Sequence, residues 1–188
     1  MILLEDGEMA VLTSKGAEVK NLDGKRLNKT VTTITWSAGM AEKSGYPHFM
    51  LKEIHEQPRA ILDTIRGRIG LASGDAYLEE MKLTQRDFGR LKKIMLIACG
   101  TSWHAALVGK YVLEELTGLP VEVDISSEFR YRDPLLEPNH LVVAITQSGE
   151  TADTLAAIKL AKTKKSKTAA ITNVVGSSVT RMVHGIIY

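Results

Sequence analysis

The second half of the chain alternates short apolar runs with longer segments that mix apolar and polar positions. Near-continuous apolar strands are typical of parallel sheets that helices cover on both faces. The pattern therefore predicts an α/β fold with a doubly wound parallel sheet. The predicted strands are Lys93–Cys99, Val121–Ile125, Leu141–Thr146, Thr168–Asn173 and Gly185–Tyr188, and the predicted helices are Trp103–Leu116, Ala152–Lys164 and Ser177–Val183.

One predicted helix has a clear apolar stripe. In Trp103–Leu116, four apolar residues recur at intervals of three and four positions, the repeat of one side of a helix. We therefore expect these side chains to form the buried face of the helix. The four residues are Ala105, Val108, Val112 and Leu116.

Residues 1–46 follow a different pattern, with β-prone runs separated by turn signals. The runs are Met9–Thr13, Ala17–Leu22 and Thr30–Trp36, and Asp23-Gly24 is a good hairpin turn because both residues tolerate positive φ. Three or four antiparallel strands are expected. Because about 46 residues of sheet are marginal as a domain, we expect them to be the end of a larger β-rich domain.

Residues 47–92 are predicted to be a helical connector. Prolines suit the first turn of helices, so Pro47 and Pro58 indicate two short helices, over 48–56 and 59–66. Thr84-x-x-Asp87 resembles a capping box and predicts a third helix. The predicted domains are thus 1–46, 47–92 and 93–188, and the last strand, which ends without a covering helix, is expected to be truncated.

Composition excludes several classes of function. The chain has 24 Lys and Arg against 22 Asp and Glu, a net charge of +2, so no basic field favours nucleic acid or an anionic membrane. Its one cysteine, Cys99, excludes an internal disulfide and suits a reducing cytoplasm.

No apolar run approaches the length of a membrane span, and Met1–Leu4 lacks the basic start of a signal peptide. We expect a cytoplasmic protein.

The histidines and cysteine show no spacing typical of a metal site, so we expect no metal ion and no cofactor. Cys99, at the end of a predicted buried strand, is interpreted as a small core residue rather than a nucleophile. His104, beside the first predicted helix start, could contact an anion or could equally be a surface residue, and it is not among the predicted site residues. Glu150 would repel an anion unless its carboxylate points away, toward helix N–H groups or a neighbouring subunit.

Two predicted strands end in loops rich in hydroxyl groups and glycine, at residues 98–102 and 146–151. Each loop opens a predicted helix, where unpaired backbone N–H groups can bind an anion. Ser102 and Thr151 could instead be simple N-caps. In a flavodoxin-like strand order of 2-1-3-4-5, however, the two strands are neighbours at the switch point, so both loops meet at one crevice.

The ligand expected in this crevice is a sugar phosphate. Neither G-x-G-x-x-G nor G-x-x-x-x-G-K-[ST] is present, and each loop has a single glycine, which disfavours a nucleotide. Several hydroxyls together with the amide of Gln147 suit a polyol that carries a phosphate. A flavodoxin-like FMN binder is a weaker alternative.

The same loops carry a family resemblance. Residues 98–102, 127–132 and 147–154 resemble the sugar isomerase (SIS) domain of the glutamine:fructose-6-phosphate aminotransferase family. Residues 52–58 resemble the interdomain connector of that family, and residues 4–10 resemble late strands of its glutaminase domain. The resemblance covers essentially the whole chain in the same order.

The resemblance implies a homodimeric enzyme that makes glucosamine 6-phosphate from fructose 6-phosphate and glutamine. It implies that loop residues bind the phosphate and the sugar hydroxyls, with Thr146 standing where serine is usual. The family's nucleophilic N-terminal cysteine and its catalytic Glu, His and Lys have no counterpart here, so this chain alone is expected to be inactive. An alternative is a non-catalytic SIS-type module that binds or senses sugar phosphates. The implied ligands are Thr101, Ser102, Thr146, Gln147, Ser148 and Thr151.

Overall fold

A computed structural model of the protein describes residues 1–33, 42–70 and 72–188. The chain divides into two compact units, residues 1–59 and residues 60–188. The predicted boundaries after residues 46 and 92 stay a prediction. No helix within the described ranges is both long enough and apolar enough to cross a membrane.

The first unit contains a three-stranded antiparallel sheet of β1 (Glu8–Thr13), β2 (Gly16–Asn21) and β3 (Arg26–Leu27), in that order. The predicted turn at Asp23-Gly24 is confirmed, with Gly24 at φ +80°. After this turn β3 pairs with β2, with Arg26 opposite Lys20. Residues 30–33 form no strand, so the predicted third strand is wrong there, while residues 34–36 lie outside the described ranges.

One helix, α1 (Phe49–Ile65), replaces the two short helices that the prolines predicted. Pro58 lies inside this helix. Proline lacks an N–H group and therefore removes one hydrogen bond from the helix, but the remaining turns can still form. Pro58 was thus a misleading signal for a helix start.

The second unit is built on a five-stranded sheet in the order β5-β4-β6-β7-β8, and all its strand pairs are parallel. Numbered from its own first strand, this is the order 2-1-3-4-5 predicted from the sequence. The strands are β4 (Lys93–Ala98), β5 (Val121–Ile125), β6 (His140–Thr146), β7 (Lys167–Thr172) and β8 (Gly185–Ile187).

Helices cover both faces of this sheet, which confirms the doubly wound α/β class. Met95 and Ile97 of β4 pack in the core on one face, together with Phe129. The alternate residues of β4, Ile94 and Leu96, pack on the other face. The first face is covered by α4 (Ser126–Tyr131), α5 (Ala152–Thr163) and a 3₁₀ helix (Ser178–Arg181), and the second by α3 (Thr101–Thr117).

The predicted buried face of α3 is wrong. Ala106 is fully buried, whereas Val108 is 66% exposed and Leu116 is 77% exposed. The small residues Ala106 and Gly109 let the helix approach the sheet, and a β-carbon at position 109 would lie 3.6 Å from Cδ1 of Leu96. Close packing through small residues therefore decided the orientation of α3, and Ala105 and Val112 of the predicted stripe are likewise exposed.

Part of the predicted connector belongs to the core of the second unit. Leu83, with Leu91 beside it, packs against Leu141 and Ala169 of the sheet. Next to Leu83, the helix α2 (Gln85–Phe88) begins at the predicted capping box, which is confirmed. Residues 81–91 therefore cover one end of the sheet.

Two histidine side chains of this unit, the buried His140 and the more exposed His184, accept hydrogen bonds from backbone N–H groups. His140 Nδ1 accepts a hydrogen bond from the Glu137 N–H at 3.2 Å, and His184 Nδ1 accepts one from the Thr168 N–H at 3.1 Å. Partial desolvation of the rings lowers the pKa of both imidazoles below the ordinary value. Protonation of Nδ1 would also break each of these bonds, because a protonated nitrogen cannot accept.

We therefore expect the free energy of unfolding to fall as the pH drops below about 6.5, the ordinary pKa of histidine. The sign follows from the lowered pKa, since the folded protein binds fewer protons than the unfolded chain in this range. Urea unfolding between pH 7.5 and pH 5.5 measures the effect. His184→Gln should reduce the slope, and a wild-type stability that does not change over this range would contradict the assignment.

Candidate functional site

The two hydroxyl-rich loops lie side by side at one edge of the sheet. β4 and β6 are adjacent and parallel, and Ala98 at the end of β4 pairs with Ile145 near the end of β6. The loops that follow these strands therefore start about one strand spacing apart. The predicted crevice at the switch point of the strand order is present.

A cavity of about 250 Å³ occupies this crevice. Five of the six predicted site residues line it, and Thr101, which is the exposed first residue of α3, does not. Within the described part of the chain, no charged side chain lines the cavity. The lining residues are Cys99, Ser102, Ile145, Thr146, Gln147, Ser148, Thr151 and Thr154.

The first loop begins α3 without a side-chain cap. Gly100 is the N-cap residue, with φ +60° and ψ −135°, and it has no side chain to offer. Ser102 is the second residue of the helix and is therefore not the N-cap. The alternative that Ser102 serves only as a cap is excluded by this geometry.

The second loop begins α5 in the same way. Thr151 is the N-cap residue by position, but its side chain makes no capping hydrogen bond. Thr151 is one of the residues that line the cavity. The first N–H groups of both helices are therefore not capped by Ser102 or Thr151, and an anion in the crevice would face the positive ends of two helix dipoles.

Hydrogen bonds within the turn between β6 and α5, and from neighbouring segments to it, hold this turn in place. Thr146 Oγ1 accepts from the Gly149 N–H at 3.2 Å, and the Gly149 carbonyl accepts from the Val179 N–H at 3.0 Å. The Gln147 carbonyl accepts from the Asn173 N–H at 3.2 Å. The hydroxyl oxygen of Thr146 is thus used within the loop, while the shape of the loop is fixed before any ligand binds.

Gly149 is required by this turn. Its φ is +68°, and a β-carbon at this position would overlap the Ser177 side chain and lie 3.1 Å from Thr172 Oγ1. Only a residue without a side chain satisfies both constraints.

Glu150 points away from the cavity. Its Oε1 accepts a hydrogen bond from the Ser178 N–H at 2.7 Å, at the start of the 3₁₀ helix. Hydrogen bonds from the Ser178 side chain and backbone hold the pKa of this carboxyl below its ordinary value. Of the two alternatives from the sequence, contact with helix N–H groups is therefore the one the structure has, and the charge of Glu150 is directed away from the anion site.

Three residues of the cavity wall, Cys99, Ile145 and Thr154, are not among the predicted site residues. Cys99 is half-buried and lines the cavity, so its interpretation as a core residue is wrong. Thr154 is 2% exposed and also lines the cavity. Thr154 lies one helical turn after Thr151, so the spacing of the two threonines in a predicted helix was the signal that could have found it.

Comparison of the whole chain with known protein families and sequences supports the resemblance seen in the sequence. The SIS domain family matches residues 89–188, which is more than half of the chain. The glutamine–fructose-6-phosphate aminotransferase (isomerizing) of Clostridium tetani is 48% identical over 186 residues, which is 99% of this chain and 30% of the relative. The same enzyme of Clostridium acetobutylicum is 50% identical over 185 residues, 98% of this chain and 30% of the relative.

Solved structures show the same fold. The C-terminal domain of glucosamine-fructose-6-phosphate aminotransferase from Francisella tularensis matches with a TM-score of 0.69 and 39% identity, over 78% of this chain and 40% of that one. Glucosamine-6-phosphate deaminase from Thermotoga maritima, at 18% identity and a TM-score of 0.58 over 74% of this chain and 39% of that one, shares the fold alone.

The chain spans about 30% of the length of the two curated relatives. The match of the family to residues 89–188 covers the parallel sheet, both hydroxyl-rich loops and the cavity between them. The chain therefore belongs to the SIS domain family, and the two curated relatives named above are glutamine–fructose-6-phosphate aminotransferases.

Proposed function

We propose that the cavity between the two loops binds the phosphate and hydroxyl groups of fructose 6-phosphate or glucosamine 6-phosphate. The observation that carries the proposal is the convergence of two helix starts without side-chain caps on one small cavity lined by hydroxyl groups. The curated relatives are named for an activity on fructose 6-phosphate, which supports the same ligand.

The phosphate is the part of the ligand that the helix starts favour. Backbone N–H groups at a helix N-terminus bind anions and need no lysine, arginine or metal ion. The hydroxyls of Ser102, Ser148 and Thr151 add donors at the same cavity. Glu150, the acidic residue within the second loop, is held away by Ser178. The site thus suits an anion although its lining carries no charge.

The sugar is the part of the ligand that the remaining polar groups favour. The amide of Gln147 offers both a donor and an acceptor, and each sugar hydroxyl is likewise both. Gln147 is exposed and lines the cavity, whereas its neighbour Thr146 is buried. A phosphate seated at the helix starts would therefore leave its sugar within reach of Gln147.

The proposed function also includes the reaction of the whole enzyme to which this segment would belong. As in the relatives' name, we propose that this segment belongs to an enzyme that transfers an amino group from glutamine to fructose 6-phosphate. We assign it the binding of the sugar phosphate rather than a catalytic group. A homodimer in the cytoplasm, which the family resemblance implies, completes the proposal.

Thr151→Ala should weaken binding of fructose 6-phosphate about fivefold. The change removes one hydroxyl donor from the cavity, and a single hydrogen bond contributes about 1 kcal/mol. Isothermal titration calorimetry of the 188-residue protein measures the Kd. Thr163→Ala is the matched control, because Thr163 ends the same helix and its hydroxyl donates to the Leu160 carbonyl.

The control should leave the Kd unchanged. Equal affinities of Thr151→Ala and wild type, with the circular dichroism spectrum intact, would overturn the site. Absence of binding to the wild-type protein at millimolar fructose 6-phosphate would overturn the proposed function for this chain.

Gly149→Ala should both destabilise the protein and abolish binding. An added methyl group would overlap Ser177, so the loop between β6 and α5 must move. Gly118→Ala is the matched control: Gly118 has a similar φ of +66° and no atom within 4 Å of an added β-carbon. Both variants carry backbone strain of about 1 kcal/mol, which thermal unfolding measures. Only the first should also lose affinity, and equal effects of the two variants would contradict the role of this turn.

A further inference from the structure

The short helix α4 is joined to α5 by a buried pair of hydroxyl groups. Thr154 Oγ1 donates a hydrogen bond to Ser126 Oγ at 3.1 Å. Ser126 is 0% exposed and Thr154 is 2% exposed, so both residues are almost completely buried. Loss of one partner would leave the other buried and unpaired, which is costly.

The two residues have different relations to the cavity. Thr154 lines it, one turn after Thr151 in α5, whereas Ser126 does not belong to its lining. Because residues three apart lie on the same side of a helix, Thr154 and Thr151 face the cavity together. The contact with Ser126 therefore acts on the turn of α5 that carries Thr151.

A second contact links the same pair of helices. Arg130 of α4 forms an ion pair with Asp153 of α5 at 2.7 Å. The two side chains are 31% and 39% exposed, and exposed ion pairs contribute little to stability. Phe129 of α4, which is fully buried in the core, keeps the helix in place. The buried hydroxyl pair is therefore the contact best placed to fix the first turn of α5.

We propose that Ser126 and Thr154 are positioning residues of the sugar-phosphate site. Their hydrogen bond fixes the first turn of α5 and so sets the position of the Thr151 hydroxyl and of the adjacent backbone N–H groups. This inference rests on the proposed function. It gives α4, a helix outside the cavity lining, a part in ligand binding.

The test compares variants of both partners. Ser126→Ala and Thr154→Val each remove one hydroxyl. Each should raise the Kd for fructose 6-phosphate about fivefold, because the ligand must then order the first turn of α5, which costs about 1 kcal/mol of binding free energy. The double variant should bind no more weakly than either single variant, because both act through one bond. Thr154→Ser keeps the hydroxyl and should restore the wild-type Kd.

Thr168→Val is the control that distinguishes an effect on the position of the binding residues from a general loss of protein stability. Thr168 is also fully buried, and its hydroxyl contacts His184 Nδ1 at 2.8 Å, away from the cavity lining. Like Ser126→Ala and Thr154→Val, this variant removes a buried hydroxyl and should lower the melting temperature. Unlike them, it should leave the Kd for fructose 6-phosphate unchanged. All variants are compared at pH 7.5 and at a temperature where each is folded.

Two results would overturn the inference while sparing the proposed function. One is an unchanged Kd in Ser126→Ala when Thr151→Ala binds more weakly. The other is full additivity of Ser126→Ala and Thr154→Val, which would make Thr154 an independent contact. If Thr151→Ala also binds like the wild type, the proposed function fails together with the inference.

Discussion

The parallel pairing of β4 with β6 is the constraint on which the site depends. It aligns Ala98 with Ile145, so the two loops begin at the same edge of the sheet. The strand order reverses direction at this pair, and such a reversal opens a crevice at the ends of the strands. The apolar residues on both faces of β4 hold the pairing in place, because they are buried under α3 on one side and under α4 and α5 on the other.

The loops themselves are fixed by small, local contacts. Gly149 allows the second loop to turn against Ser177, and Thr146 and Val179 hold its backbone by hydrogen bonds. Such a turn needs little rearrangement to bind a ligand, and preorganisation of this kind favours affinity. The carboxylate of Glu150 does not line the cavity, because it accepts a hydrogen bond from the Ser178 N–H, so its negative charge does not oppose an anion there.

Much of this arrangement could be predicted from the sequence, because strand length, apolar runs and loop chemistry are local properties. The strand order and the crevice were predicted by assuming a flavodoxin-like order for this pattern of strands and helices. The buried face of α3 could not be predicted in this way. Ala106 and Gly109 face the sheet because their small size lets the helix come close to it, and not because they are strongly hydrophobic. The helix α4 was missed because it is short, and the buried contact between Thr154 and Ser126 could not be predicted because it joins two separate helices.

Binding of a phosphorylated sugar at the two loops can be observed residue by residue by nuclear magnetic resonance of the ¹⁵N-labelled protein, titrated with fructose 6-phosphate. We expect the largest amide shifts at residues 99–103 and 147–154, and inorganic phosphate should shift a subset of the same signals. Shifts confined to other parts of the chain, or none at millimolar ligand, would contradict it.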